Sequence, residues 1–299
     1  MNQQLKVHGS LFLVALIYGA NYSIAKEVMP AYVQPYGLIL LRVSGAVLFF
    51  WAVSLLRTKE QIQGWADWRR VFLCGFFGIA LNQLTFFGGL NLTSPINASL
   101  IMTITPIVVL IMSAVLLREK VKKQRIGGIL LACVGAFLLI YGKTDAKSQG
   151  NTLGDILILI NATSYGIYLV LVKPLMQRYK AITVVSRVFL VGFVGVLPFG
   201  LPQLGTPDYA AFPVHVWAAI AFMIIGVTIM AYLLNAWALT YASPSLLGVY
   251  IYLQPVLAIL IAVGLGKDVF TWQKAVFALM IFGGVYLVSR PARKRAVPA

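Results

Sequence analysis

Long apolar runs follow one another along almost the whole chain, separated by short polar gaps. A helix rises about 1.5 Å per residue and the hydrocarbon core of a bilayer is about 30 Å thick, so one crossing needs about 20 mainly apolar residues. The gaps hold prolines, glycines and charged residues that end helices. The pattern predicts ten transmembrane helices, numbered one to ten, at roughly residues 8–28, 35–56, 69–90, 95–117, 124–141, 153–172, 182–201, 214–236, 244–265 and 272–289.

The basic residues are distributed unevenly between alternate gaps. Seventeen Lys and Arg residues fall on the side that carries both termini, and five fall on the other side. Because cytoplasmic loops are enriched in Lys and Arg, this asymmetry predicts a multi-pass protein of the cell membrane with both termini in the cytoplasm. We interpret the first run as helix one, not a cleaved signal peptide, because it is long and has a counterpart later in the chain.

Composition supports the membrane interpretation. Hydrophobic residues make up 60% of the 299 positions and charged residues only 11%, against about 25% charged in soluble domains. The net charge of +16 lies in short gaps between apolar runs, where anionic lipid head groups are the natural partner. We therefore exclude nucleic-acid binding. Cys74 and Cys133 lie inside apolar runs without CxxC or His neighbours, so we predict neither a disulfide nor a metal site.

The sequence contains an internal repeat. With a constant shift of 149 positions, Ser94-Pro95 falls on Ser243-Pro244 and Pro106 on Pro255, and the alignment of 94–139 with 243–288 needs no gap. We predict two five-helix repeats, residues 1–145 and 146–299. Since five is odd, the second repeat enters the membrane from the opposite side. Inverted repeats of this kind are typical of transporters that bind substrate near the bilayer midplane.

These features resemble a known family. The Ser-Pro pairs at 94 and 243, the mid-helix Pro106 and Pro255, the Arg118-Glu119 and Lys267-Asp268 pairs and the Gly154-Asp155 start of helix six are similar to those of EamA-type permeases of the drug/metabolite transporter superfamily. The resemblance implies alternating access through a central cavity with helices three, four, eight and nine among its walls. It also implies a small-metabolite cargo, with amino-acid exporters among common members.

Polar side chains at membrane depth mark candidate binding positions, because they are costly unless they face protein or water. Several share one helix face: Tyr18 and Asn21 on helix one, and Tyr165 and Tyr168 on helix six. The alternative is that they serve as hydrogen-bonding or packing groups between helices. We predict substrate binding by Tyr18, Asn21, Asn82, Phe86, Asn97, Tyr165, Tyr168, Tyr232, Asn235, Tyr250 and Gln254.

Two prolines and two arginines stand inside predicted helices. Pro106 and Pro255 each free a backbone carbonyl one turn earlier and kink the helix, so we predict that helices four and nine are gating elements. Arg42 and Arg187 are the charges set well inside spans. We expect both to extend to the membrane surface by snorkelling; binding of a substrate carboxylate is the alternative for Arg42.

The sequence lacks the motifs that would indicate an enzyme. HExxH and GxSxG motifs are absent, and no deep pair of carboxylates stands ready for acid–base or metal chemistry. We therefore predict no enzyme activity, no cofactor and no bound metal. A helical channel or a membrane scaffold subunit is the alternative to a permease. The sequence leaves open the substrate, the direction of transport, the energy coupling and association as a homodimer.

Overall fold

The computed structural model describes residues 3–116, 123–141, 151–239 and 244–289. These ranges are helical, with no β-strand among them, and their segments group into ten rods, α1 to α10. The first five are α1 (Gln3–Val28), α2 (Pro35–Arg57), α3 (Trp65–Gly75, a π-helical Phe76–Ala80 and Leu81–Leu92), α4 (Pro95–Met102 and Thr105–Leu116) and α5 (Lys123–Tyr141). The others are α6 (Thr152–Arg178), α7 (Ala181–Leu204), α8 (Val214–Ala221, a π-helical Phe222–Met230 and Ala231–Leu239), α9 (Pro244–Gly264) and α10 (Trp272–Ser289), with a 3-10 turn Tyr209–Ala211 before α8.

Seven rods are long and apolar enough to cross a membrane: α1, α2, α3, α4, α6, α7 and α8. The apolar helices within α5, α9 and α10 are shorter, at Ile126–Leu139, Leu253–Gly264 and Trp272–Leu287. All three coincide with spans that the sequence predicts. Length and composition therefore support seven of the ten predicted crossings, and the remaining three stay predictions.

The main contacts between the two halves recur when each rod is exchanged with the one five places later. Helix α1 packs against α9 and α8, while α6 packs against α4 and α3. Helix α3 contacts α7, and α8 correspondingly contacts α2. Helices α2 and α7 are counterparts that pack against each other, and so are α5 and α10. The internal repeat of the sequence thus corresponds to a repeat of packing, and every one of these contacts joins the two halves.

Small residues allow α5 and α10 to approach closely. A Cβ atom added at Gly284 would lie 2.5 Å from the carbonyl oxygen of Gly128 and 2.7 Å from the Cβ of Ala132. In membranes, helix association depends on such close van der Waals packing, because lipid and helix surfaces are equally apolar. The glycine at 284 is therefore needed for the backbone contact between these two rods.

Helix four differs from the continuous kinked helix that the sequence predicts. It breaks at Thr103 and Ile104, whose amides donate to carbonyls three residues earlier instead of four. Pro106 lies just beyond the break and has no N–H to offer the Met102 carbonyl; the Thr105 hydroxyl donates to that carbonyl instead, at 2.8 Å. The freed carbonyl thus has a partner within its own helix. Helix α9, by contrast, is helical on both sides of Pro255.

Candidate functional site

Arg42 places a charged guanidinium group inside the helix bundle. Its side chain projects from α2 and the residue is only 8% exposed. Its Nε donates to the Thr228 Oγ1 on α8 at 2.6 Å, and its Nη1 donates to the Gln83 Oε1 on α3 at 3.1 Å. The guanidinium also lies 5.5 Å from the ring centroid of Phe87, within the range of a cation–π interaction. The expectation that Arg42 snorkels is wrong, because neutral oxygens on two neighbouring helices bind it inside the protein.

A chain of amides extends from Arg42 to the second half of the protein. Gln83 donates through Nε2 to the Oδ1 of Asn82 at 2.8 Å. Asn82 and Asn161 then bond reciprocally across α3 and α6: each side-chain nitrogen donates to the other's backbone carbonyl, at 3.3 and 2.7 Å. Asn82, a predicted substrate-binding residue, is thus also a link between helices.

Tyrosines from three helices meet beside this polar chain. Tyr18 on α1 lies beside Asn235 and Tyr232 on α8, and Tyr168 on α6 lies beside Tyr232. The rings of Tyr165 and Tyr168 stack, with centroids 5.9 Å apart. Five of the residues predicted to bind substrate therefore form one group, to which the first half contributes Tyr18 and the second half the other four.

A small cavity of about 20 Å³ lies at the edge of this group. It is lined by Arg42, Val43, Ile79, Gln83, Phe189, Thr228 and Tyr232. The volume suffices for about one water molecule, so a larger solute requires the surrounding helices to separate. Its lining residues come from α2, α3, α7 and α8.

Two π-helical segments shape the site. They occupy corresponding positions in the two halves, Phe76–Ala80 in α3 and Phe222–Met230 in α8. The Thr228 hydroxyl donates to the Met223 carbonyl, five residues earlier, at 3.0 Å. Such segments are frequent at functional sites because they redirect the side chains that follow. Here the cavity-lining Gln83 and Tyr232 come just after them.

The structure places the other predicted binding residues outside this group. Asn21 is buried, and its Oδ1 has no hydrogen-bond partner among the described residues. Phe86 packs edge-on against Tyr22 with centroids 5.6 Å apart. Asn97 donates to Asp155 at the start of α6, at 3.4 Å. Tyr250 bonds His8 at 2.8 Å, near the beginning of α1.

Gln254 belongs to the contact between α1 and α9. Its backbone carbonyl would lie 3.2 Å from a Cβ added at Gly19. Gly19, which contacts α9, directly follows Tyr18 in the sequence. A movement of α9 would therefore shift Tyr18 and the tyrosine group. Pro255 is buried next to this contact. Pro106 and Pro255 as gating elements stay predictions.

Sequence reasoning missed three parts of the site. Gln83 is adjacent to the predicted Asn82 but points to Arg42, and Thr228 sits in an otherwise apolar stretch. Both are single polar residues at membrane depth, which is the signal that could have identified them. Arg42 itself was recognised as a deep charge but assigned to the surface, because spacing along one helix does not show which neighbours lie beside it.

Ion pairs close the ends of the bundle. Asp268, after α9, binds Lys274 of α10 at 2.9 Å and accepts the backbone N–H of Ile96 at the start of α4, at 3.1 Å. At the other end, Asp67 of α3 accepts from Arg178 of α6 at 3.1 Å. Both sets of contacts connect the first half to the second. Within the described ranges, no group of three or more His, Cys, Asp or Glu residues is placed to hold a metal ion.

The fold and this interior define the class of the protein: a multi-pass helical membrane transporter with an internal repeat and a polar, aromatic centre. The family follows from comparison with known proteins. The model of the EamA-like transporter family matches residues 6–141 and again residues 152–290. The chain belongs to the EamA-like transporter family, whose named members are transporters and not enzymes. The family model thus matches the chain twice.

Relatives cover nearly the whole chain. The "Uncharacterized transporter YyaM" of Bacillus subtilis (strain 168) is 24% identical over 94% of this chain and 93% of its own length. The "WAT1-related protein At3g53210" of Arabidopsis thaliana is 24% identical over 92% of this chain and 80% of its own. A "Probable terminal-alkyne amino-acid exporter" of Streptantibioticus cattleyicolor is 26% identical over 66% of this chain and 64% of its own.

A solved structure has the same fold. Its chain is 22% identical, superposes with a TM-score of 0.62 and covers 96% of both chains. At this level of identity the likeness concerns the fold alone. It supports the helical arrangement that surrounds the tyrosine group.

Proposed function

We propose that the protein is a ten-span permease of the cell membrane that exports a small metabolite, such as an amino acid or a related compound. The two five-helix halves lie inverted in the membrane, with both termini in the cytoplasm. They rock around a midplane site and expose it to each side in turn. The observation that carries this proposal is the meeting of Tyr18 from the first half with Tyr165, Tyr168, Tyr232 and Asn235 from the second.

Three further observations support alternating access. The main helix contacts between the halves recur when each helix is replaced by its counterpart in the other half, as a twofold relation between the halves predicts. The cavity of about 20 Å³ beside Arg42 is too small for a metabolite, so binding at this place requires its walls to move apart. Contacts between the halves at both ends, Asp268 with the Ile96 amide and Asp67 with Arg178, can break in alternation. A homodimer is compatible with this mechanism, because each chain holds a whole site between its own halves.

The amino-acid cargo is supported by the name of one relative, an amino-acid exporter. Amide and phenol groups on aromatic walls also suit a modest zwitterionic or uncharged solute. The predicted binding roles of Asn21, Asn82, Phe86, Asn97, Tyr250 and Gln254 form part of this proposal.

Exchange in vesicles tests the proposal. The purified protein is reconstituted and loaded with unlabelled amino acids, and uptake of each labelled amino acid is followed against external concentration. A carrier gives saturable exchange that depends on solute inside the vesicle. Replacing Tyr18 by Phe removes a hydroxyl that lies beside Asn235, and we expect exchange to fall about tenfold, as the loss of one hydrogen bond to the solute predicts.

Tyr286→Phe is the matched control, because Tyr286 is 59% exposed and does not line the cavity; the exchange rate of this variant should equal that of the unmodified protein. Flux that rises linearly with concentration and needs no internal solute would point to a channel. No flux of any solute in this assay, with the protein folded, would favour a scaffold role and contradict the permease.

A further inference from the structure

We propose that the Arg42 guanidinium binds the carboxylate of the substrate, and that the substrate is a small carboxylic acid with an apolar or aromatic body. This inference rests on the proposed transport function and specifies its cargo. Amino acids with apolar side chains belong to this class. Transport of uncharged metabolites does not follow from it.

The charge of Arg42 is not compensated within the part of the chain that the structure describes. Both of its hydrogen-bond acceptors, Thr228 and Gln83, are neutral. None of the ion pairs formed by the described residues includes it. A buried charge without a counter-ion is costly, so its retention inside the bundle calls for a reason.

The described acids all have other partners. Glu27 pairs with Lys267, Glu60 with the Lys180 amide, Asp67 with Arg178, Asp155 with Thr93, Asp208 with the Ala210 amide and Asp268 with Lys274. None of them contacts the cavity lining. An anion that completes the site of Arg42 therefore has to come from outside these residues.

The guanidinium keeps donors available for such an anion. Arginine carries five N–H donors in a planar fork. Thr228 takes the one on Nε and Gln83 takes one on Nη1. The Nη2 group makes no hydrogen bond to the described residues, and Arg42 lines the cavity. A carboxylate can accept two parallel N–H bonds from the remaining Nη1 and Nη2 donors.

The rest of the cavity suits an apolar body. Val43, Ile79, Phe189 and the ring of Tyr232 line it, and Phe189 and Tyr232 pack edge-on with centroids 5.6 Å apart. No carboxylate among the described residues stands there to bind an ammonium group. If an amino acid binds, its ammonium group meets tyrosine hydroxyls and aromatic faces instead. The carboxylate thus dominates recognition.

Arg42 could instead serve only to connect α2, α3 and α8. Selectivity for charge separates the two roles, because a connecting arginine does not distinguish a carboxylate from the amide of the same shape. The probes are 3-phenylpropionate with 3-phenylpropanamide, and phenylalanine with phenylalaninamide. The readout is the concentration of each probe that gives half-maximal thermal stabilisation of the purified protein.

For the unmodified protein we expect the acids to act at concentrations about tenfold or more below those of the amides, as loss of a charged hydrogen bond predicts. In Arg42→Gln this ratio should fall to about one, and Arg42→Lys should retain part of it because a positive charge remains. Arg187→Gln is the matched control. Arg187 lies within α7 and contacts Ser54 and Trp51, away from the cavity lining, so the ratio should not change.

Equal stabilisation by acid and amide in the unmodified protein would overturn the inference, and so would an unchanged ratio in Arg42→Gln. The first comparison needs no variant, so it is decisive even if Arg42→Gln fails to fold. Saturable exchange of solutes in vesicles, with amides competing as well as acids, would leave the transport proposal standing while this inference fails. Acid-selective stabilisation without exchange of any solute would support the anion site and contradict the transport proposal.

Discussion

At the scale of single residues, Gly78 fixes the position of the tyrosine group. It follows the start of the π-helical segment in α3, where the backbone passes against the ring of Tyr168. A Cβ added at Gly78 would lie 2.4 Å from the Tyr168 Cδ2, which is closer than real Cβ contacts allow. Tyr168 in turn lies beside Tyr232. The absence of one side chain on α3 therefore decides where two phenols on other helices lie.

We expect Gly78→Ala to destabilise the protein by about 1–3 kcal/mol, the usual range for an overpacked interior, and to lower the exchange rate by displacing Tyr168. Chemical unfolding in mixed micelles and vesicle exchange provide the measurements. Gly9→Ala is the control, because no atom lies within 4 Å of the Cβ position at Gly9. A Gly78→Ala protein as stable and active as the Gly9→Ala protein would contradict the close contact.

At the scale of elements, the break in α4 depends on Thr105. Its hydroxyl satisfies the Met102 carbonyl that Pro106 leaves without an N–H donor. Thr105→Val keeps the shape and removes that donor, so we expect a loss of about 1–3 kcal/mol in unfolding free energy for the buried unpaired carbonyl. Thermal unfolding of the detergent-solubilised protein measures it.

Thr163→Val in α6 is the matched substitution for this test. The Thr163 hydroxyl donates to the Leu159 carbonyl at 2.9 Å, but that carbonyl also lies in a regular helix, where the amide four residues later bonds it. Thr163→Val should therefore lower the unfolding free energy clearly less than Thr105→Val does. Equal effects of the two substitutions would show that the carbonyl of Met102 has another donor.

At the scale of the whole molecule, the pair Asp268 and Lys274 fastens the second half to the start of α4. Their side chains are 2% and 7% exposed, and Asp268 also accepts the Ile96 amide. Lys274→Met leaves a buried carboxylate without its cation, so we expect a loss of about 3–5 kcal/mol in unfolding free energy. The double variant Asp268→Asn with Lys274→Met should recover a large part of this loss, because no charge is then left unpaired.

The partly exposed pair of Glu27 and Lys267, with side chains 45% and 39% exposed, serves for comparison. Glu27→Gln should cost less than about 1 kcal/mol, since water screens this pair. Additive losses in the double variant of Asp268 and Lys274 would mean that the two side chains do not stabilise each other. Comparing these unfolding free energies tests whether the buried pair of Asp268 and Lys274 stabilises the protein more than the exposed pair does.

The sequence by itself determined what repeats along the chain: the apolar runs, the duplication that the two family matches confirm, and the membrane transporter class. These features depend on the length, composition and order of local segments, because each segment crosses the bilayer according to its own apolar length. It also predicted a binding role for Tyr18, Tyr165, Tyr168, Tyr232 and Asn235, because polar residues on one face of an apolar helix are unusual, and that role stays a prediction. The partners of these residues lie on other helices, so only the tertiary structure decided them.

The tertiary structure placed Arg42 against Thr228 and Gln83 instead of at the surface, and Tyr250 against His8 instead of with the other tyrosines. It also turned the predicted kink of α4 into a break and placed π-helical segments in α3 and α8. The physical reason is the same in each case. The position of a long side chain, or of an irregular helical turn, is set by contacts between helices distant in sequence, and no pattern along a single helix contains them.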